Sequence, residues 1–180
     1  AQADADTRDL RAWPFTSIDN PESRDLDQIE LCEPAAGGTL LRVGIADVDR
    51  FVPAGSETDR FAAHNTTSVY TGARTFPMLP EALSYDRTSL LDERPRLALI
   101  IETLVHPDGT LGSGQVYQAL VKNHAKLDYP SVSAWLAGQA PLPAALRDQP
   151  VLEEQLRQQD ALAQRRSAAR ARAGALDFDT

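Results

Sequence analysis

The sequence is short of cysteine, histidine and positive charge, and it has no long apolar run. Cys32 is the only cysteine among 180 residues, so an internal disulfide is excluded and no disulfide partner is expected. That usage suits a reducing, cytoplasmic setting. No uninterrupted apolar stretch approaches the ~18 residues a membrane span needs, so no membrane partner is expected. The first residues are acidic and carry no apolar core of a signal peptide. His64, His106 and His124 are the only histidines. None has a second His or a Cys at zinc spacing, so structural or surface roles are expected for all three. Lys and Arg number 18 against 26 Asp and Glu, a net charge of −8, which argues against a simple basic nucleic-acid clamp. Internal repeats and low-complexity linkers are also absent.

What is present is a chain able to fold. With 42% hydrophobic and 24% charged residues it can bury a core, and its length suits one domain or a large part of one. The acidic excess is concentrated: residues 1–33 carry nine acids and three bases, a net −6 of the total −8. Such asymmetry is a functional hint.

The patterning predicts a polar lead-in over 1–12 and an extended segment over Trp13–Ile18. A polar loop then leads into a strand at Ile29–Cys32. A turn at Pro34–Gly38 and an apolar strand over Thr39–Val48 read as a hairpin across Gly37 and Gly38. Ser56 with Asp59 three positions later predicts a capped helix of about ten residues. Pro77 and Pro80 forbid a regular helix over Thr75–Ser84. Two strands, Arg96–Val105 and Thr110–Val121, flank a turn at Asp108-Gly109. A short helix is predicted over Pro130–Leu136, and a long one from Pro150 to about Ala173 with Gly174 after its end. The alternation over 175–179 predicts a further strand, so the chain is expected to stop inside a domain.

The segment most able to carry chemistry runs from Ile18 to Gln28. In extended backbone, Asp25 and Asp27 project to one face, and a Pro-containing loop could fold Asp19 onto it. Carboxylates so crowded repel unless something cancels their charge. Mg2+ or Mn2+ would do so, because hard cations prefer oxygen ligands. Two such ions about 4 Å apart support phosphodiester hydrolysis. The spacing alone favours a solvated acidic loop beside an ordinary strand, because Asp-x-Asp is common in turns. A calcium loop ranks lower, for want of the EF-hand pattern.

Several ordered blocks carry a resemblance. They are Pro14-Phe15-Thr16-Ser17-Ile18-Asp19, Arg24-Asp25-Leu26-Asp27-Gln28, Val43-Gly44-Ile45-Ala46-Asp47-Val48 and Phe51-Val52-Pro53-Ala54-Gly55-Ser56. The most diagnostic runs from Ser68-Val69-Tyr70 to Pro77-Met78-Leu79-Pro80-Glu81-Ala82-Leu83-Ser84. Ala125-Lys126-Leu127-Asp128-Tyr129 and Trp135-Leu136 extend the match. On these, the sequence resembles the RNB catalytic domain of the ribonuclease II and ribonuclease R family.

The resemblance implies a mixed α/β fold with a mostly antiparallel sheet and helices around it. Residues 13–180 would be the first half of that domain. It implies a hydrolytic 3′→5′ exoribonuclease that releases nucleoside 5′-monophosphates from single-stranded RNA. Mg2+ or Mn2+, as two ions, would be the cofactor. Asp19, Asp25 and Asp27 match three of the family's four catalytic, metal-binding aspartates, and Gln28 stands in the place of the fourth. An amide oxygen there can bind a metal but brings no charge. Tyr70 matches the aromatic that stacks on a base near the RNA 3′ end, and Tyr129 a tyrosine that helps recognise ribose. Stacking tolerates any base, and a hydroxyl aimed at the 2′-OH tells RNA from DNA. Gly44 stands where many relatives have His. The partners implied are the RNA 3′ end, the second half of the domain and flanking RNA-binding domains. A catalytically weakened RNA-binding or regulatory protein on the same fold is the alternative that Gln28 raises, and an acidic scaffold using the 150–173 helix is a third.

Overall fold

The structure is a computed structural model that describes residues 6–175. Its strands are β1 (Arg8–Asp9), β2 (Ser17–Asp19), β3 (Gln28–Ala35), β4 (Gly38–Ala46), β5 (Val69–Tyr70), β6 (Thr75–Phe76), β7 (Pro95–Val105), β8 (Leu111–Lys122) and β9 (Lys126–Asp128). Its helices are α1 (Glu57–Asn65), α2 (Tyr129–Leu136) and α3 (Pro150–Arg172). Five strands form one sheet in the order β1-β8-β7-β4-β3. All its neighbours are antiparallel except β1, which runs parallel to β8. The expected class, mixed α/β with a mostly antiparallel sheet, is what the chain adopts.

Local sequence accounts for most of these elements. The β3–β4 hairpin closes through Gly37 at φ +85°, a left-handed conformation that glycine adopts at least cost. Pro34 lies in β3, an edge strand, where its missing N–H costs no ladder bond. Ser56 caps α1 by accepting a hydrogen bond from the Asp59 N–H at 3.1 Å. Asp128 caps α2 in the same way through Ser131 N–H, with Pro130 in the first turn. Gly174, at φ +88°, follows the end of α3. After Pro80 the chain makes a short helical turn that widens into one π-type turn over Leu83–Arg87.

Two expectations change. The polar lead-in is part of the sheet: Arg8 and Asp9 pair with Ala119 and Leu120, and Leu10 is buried. A single inward leucine is enough to anchor an otherwise polar segment. The strand expected after Gly174 falls almost entirely outside the described residues.

The main core lies on one face of the sheet. There Ile29, Leu31, Ala98, Ile100, Ala119 and Val121 pack with Phe15, Leu26 and Leu90. Gly44 belongs to this face: a Cβ there would meet Ile29 Cγ1 at 2.9 Å and Ile100 Cδ1 at 3.2 Å. Its small size therefore lets the two isoleucines close over the strand. A second core joins Leu127 of β9 and Val132 and Trp135 of α2 to Leu152 and Leu156 of α3. On the other sheet face Leu99, Ile101 and Val116 are exposed apolar side chains, and Ile101 and Val116 are cross-strand partners.

Helix α3 seals the open edge of β3. The Gln155 side chain accepts from Cys32 N–H at 2.8 Å and donates to Cys32 C=O at 2.7 Å. Gln159, one helical turn on, donates to Glu30 C=O. An edge strand with free amides is a template for unwanted pairing, and the glutamines occupy it. Replacing Gln155 by Leu strands both groups of buried Cys32. A loss of about 1–3 kcal/mol is expected, read as a lowered urea midpoint. Gln164→Leu, on the exposed side of α3, should change stability by no more than ~0.5 kcal/mol.

Candidate active site

The site begins with Leu26. Its side chain is 1% exposed, in the main core. Asp25, Leu26 and Asp27 precede β3 and belong to no regular strand. They alternate nonetheless, because the backbone on either side is held. Leu26 N–H donates to Ser89 Oγ at 3.0 Å, and that hydroxyl donates to Arg24 C=O at 2.9 Å. Leu90 N–H donates to Leu26 C=O at 2.7 Å, and Ala46 N–H to Asp27 C=O at 2.9 Å. With Leu26 fixed inward, both aspartates face out.

Asp19 arrives from β2, which pairs in parallel with β9 and sets Asp19 opposite Asp128. Buried Asn123 ties this strand pair to the loop before β7. Its amide donates to Ser17 Oγ and Leu90 C=O, both at 3.0 Å, and its oxygen accepts from Ala125 N–H. Lys126 Nζ donates to Pro21 C=O at 3.2 Å and Ser23 C=O at 2.5 Å. It thereby holds the loop between Asp19 and Asp25.

Asp19, Asp25, Asp27 and Tyr70 line one polar cleft of about 620 Å³, together with Arg24 and Arg74. Tyr70 is 65% exposed and its hydroxyl donates to Asp25 Oδ2. That bond is the first cause of its hydroxyl being pushed up to about 12. Arg24 stacks on Tyr85 at 4.7 Å and Arg74 on Phe76 at 5.1 Å. Tyr129, half exposed at the start of α2, lies apart from this group. It lines a neighbouring hollow of about 410 Å³ with Gln28 and Glu30, among apolar residues of β3, β4, α2 and α3. The expected site residues thus divide between two adjoining cavities. None of the histidines lines either. Burial pushes the Cys32 thiol up to about 11, so it is no nucleophile.

Among the described residues, no three acidic side chains converge closely enough to hold a metal ion. The crowded triad expected from spacing is therefore a looser arrangement along one cleft. Its donors still suit a hard divalent cation. Asp19 Oδ2 is buried without a hydrogen-bond partner. Desolvation raises the Asp19 pKa most, and Asp27 and Asp25 add to it, against a Ser17 hydrogen bond and the Lys126 charge. Glu30 was missed by the sequence reading. Burial first, then Asp19 and Asp27, push it up to about 7. Its place two residues after Gln28 on one strand was the available signal. Arg24 and Arg74 were also missed. Arg24 stands inside the acidic motif, whereas Arg74 is brought to the cleft only by the β5–β6 hairpin.

A family model described as the RNB domain matches residues 7–180. Ribonuclease R of Vibrio parahaemolyticus is 37% identical over 96% of this chain and 20% of its own length. Exoribonuclease 2 of Erwinia tasmaniensis is 38% identical over 71% of this chain and 20% of its own length. The chain therefore spans about a fifth of the curated relatives it matches. Among solved structures, Mycoplasma genitalium RNase R in complex with ribose-methylated single-stranded RNA superposes with a TM-score of 0.91. It is 28% identical, over 98% of this chain and 27% of that one.

The raised carboxyls set a pH dependence. A carboxyl whose pKa is higher in the folded state stabilises the fold fully below its unfolded value, and that contribution is lost as pH rises through the folded one. In EDTA, the urea midpoint should fall as pH rises from about 4.5 to 7, the window set by Glu30. Glu30→Gln should flatten this fall, leaving the smaller part due to Asp19.

Proposed function

This chain belongs to the RNB domain family, and from that premise we propose that the protein carrying it is a metal-dependent 3′→5′ exoribonuclease that releases nucleoside 5′-monophosphates from single-stranded RNA. The observation that carries this reading is the cleft that gathers Asp19, Asp25 and Asp27 beside an exposed tyrosine and two arginines. The exoribonuclease names of the relatives support it. In this reading Asp19, Asp25 and Asp27 would hold Mg2+ or Mn2+, as one ion or two, while Gln28, in the family's fourth position, lines the adjoining hollow and brings no charge. The bound cation would neutralise phosphate charge and acidify water for attack.

The remaining roles fall to the chain itself. Tyr70 presents its ring to a base at the 3′ end while its hydroxyl orients Asp25. Arg24 and Arg74 offer charge to phosphates entering the acidic cleft. Tyr129, in the adjoining hollow, faces the sugar side and reads the 2′-OH. Ser89, Asn123 and Lys126 act only by holding the aspartate-bearing backbone. Residues 13–180 are read as the first half of the wider domain, a reading that the small share of the relatives' length covered by the chain supports.

Two variants of the full-length protein test this reading with 5′-labelled single-stranded RNA and Mg2+. Asp27→Asn should slow mononucleotide release by about 10²–10³-fold, the scale of losing one preorganised electrostatic element. A rate equal to the parent's would sink the assignment. Tyr70→Ala should weaken RNA binding by the ~1–3 kcal/mol of one stacked base, measured by fluorescence anisotropy in EDTA. Binding without mononucleotide release under any metal condition would favour the non-catalytic RNA-binding alternative that Gln28 raises.

A further inference from the structure

We infer that Tyr85 is a positioning residue: its ring holds the Arg24 guanidinium off the surrounding carboxylates, so that the Arg24 donors stay free for a phosphate of the RNA chain. The inference rests on the RNA-binding part of the reading above.

Arg24 is a cation without an anion. It lines the cleft with Asp19, Glu22, Asp25, Asp27 and Glu81. Yet among the described residues its guanidinium makes no hydrogen bond or ion pair. Its partner is the Tyr85 ring, whose centroid lies 4.7 Å from Cζ. In two other stacks of this chain the arginine is paired as well: Arg42 over Trp13 is held by Glu33 and Glu102, and Arg157 over Trp135 by Glu153. An arginine loose among carboxylates settles on one of them, because a bidentate pair satisfies its planar fork. Arg24 would then be lost to phosphate, and the carboxylate to a cation. A ring against the guanidinium takes up its face and leaves the in-plane N–H donors pointing outward.

The backbone sets this stack. Tyr85 sits in the π-type turn Leu83–Arg87, and single wide turns of this kind are frequent at functional sites. Thr88 N–H and Oγ1 both donate to Leu83 C=O, at 3.2 and 3.0 Å. Arg96 donates to Asp86 C=O at 3.1 Å and to Ser89 C=O at 3.0 Å. Buried Ser89 then joins the turn to the arginine itself, since its hydroxyl donates to Arg24 C=O at 2.9 Å. The Tyr85 hydroxyl makes no hydrogen bond among the described residues, so the ring is the part that acts.

The test is single-stranded RNA binding by the full-length protein in EDTA, followed by fluorescence anisotropy over a range of KCl concentrations. Each phosphate contact on a single strand contributes about 0.7 to the slope of log affinity against log salt. Arg24→Gln should reduce the slope by that amount. Tyr85→Leu should reduce it equally, and the double variant no further, because the two residues serve one contact. Tyr85→Phe keeps the ring and should keep the parent slope. A parent slope in Tyr85→Leu would overturn the inference. Additive losses in the double variant would also overturn it, since the ring would then make a contact of its own. Should Tyr85→Leu not melt cooperatively, Arg24→Lys decides. A charge without the stacking plane should lose the contact, and a parent slope there would overturn the inference. Mononucleotide release by the parent in Mg2+ is measured separately, so failure of the exoribonuclease reading leaves the slope result standing.

Discussion

The burial of Leu26 is the constraint on which the site depends. The flanking aspartates have no secondary structure to orient them. They face the cleft because the leucine between them is driven into the main core, and because Ser89, Leu90 and Ala46 hold the backbone on both sides. The hydrophobic gain of burying one leucine, roughly 2 kcal/mol, is thus coupled to the direction of two charges. Electrostatics alone would spread those charges apart. Core packing brings them to one cleft, and the hydrogen bonds around Leu26 keep them there.

A second dependence runs through α3. The sheet ends at β3, and β3 begins immediately after the aspartate pair. A free edge would leave that strand open to fraying at the point where Gln28 and Glu30 leave the cleft. The side chains of Gln155 and Gln159 take the place of a sixth strand, while Leu156 and Leu162 pack against the same region. The long helix reads from composition as a mostly solvated rod. Its sparse apolar stripe and its glutamines nonetheless make it the edge cover of the sheet.

The net charge of −8 takes on a different meaning once the fold is known. As a bulk number it argues against contact with nucleic acid. Its concentration in the first 33 residues, and the gathering of three of those acids beside Arg24, Arg74 and Tyr70, describe a local acidic cleft with cationic groups on its rim. A cation in such a cleft reverses the sign that a phosphate meets. The overall charge of the chain therefore says little about its partners, whereas the distribution says much.

Strands, hairpin turns and the α1 cap were legible in the sequence because they answer to local rules: alternation, the freedom of Gly37, and the capping side chain of Ser56. The Asp19, Asp25, Asp27 cluster was legible as a motif for the same reason. Neither the separation of Gln28 and Tyr129 into a second cavity nor the looseness of the three carboxylates could be read there. Both follow from the parallel pairing of β2 with β9, which joins residues more than 100 positions apart. Arg74 and Tyr70 reach the cleft through a hairpin only two residues wide on each side, too short to leave a periodic signal. Glu30 looked like an ordinary polar residue of an alternating strand, and its burial becomes visible only when β2 and α3 close over that face. By itself the sequence determined which residues stand as candidates for the chemistry and the local backbone that bears them. The tertiary structure alone decided which of them meet and which charges are left without a partner, because desolvation and Coulomb repulsion depend on distances that no local pattern encodes.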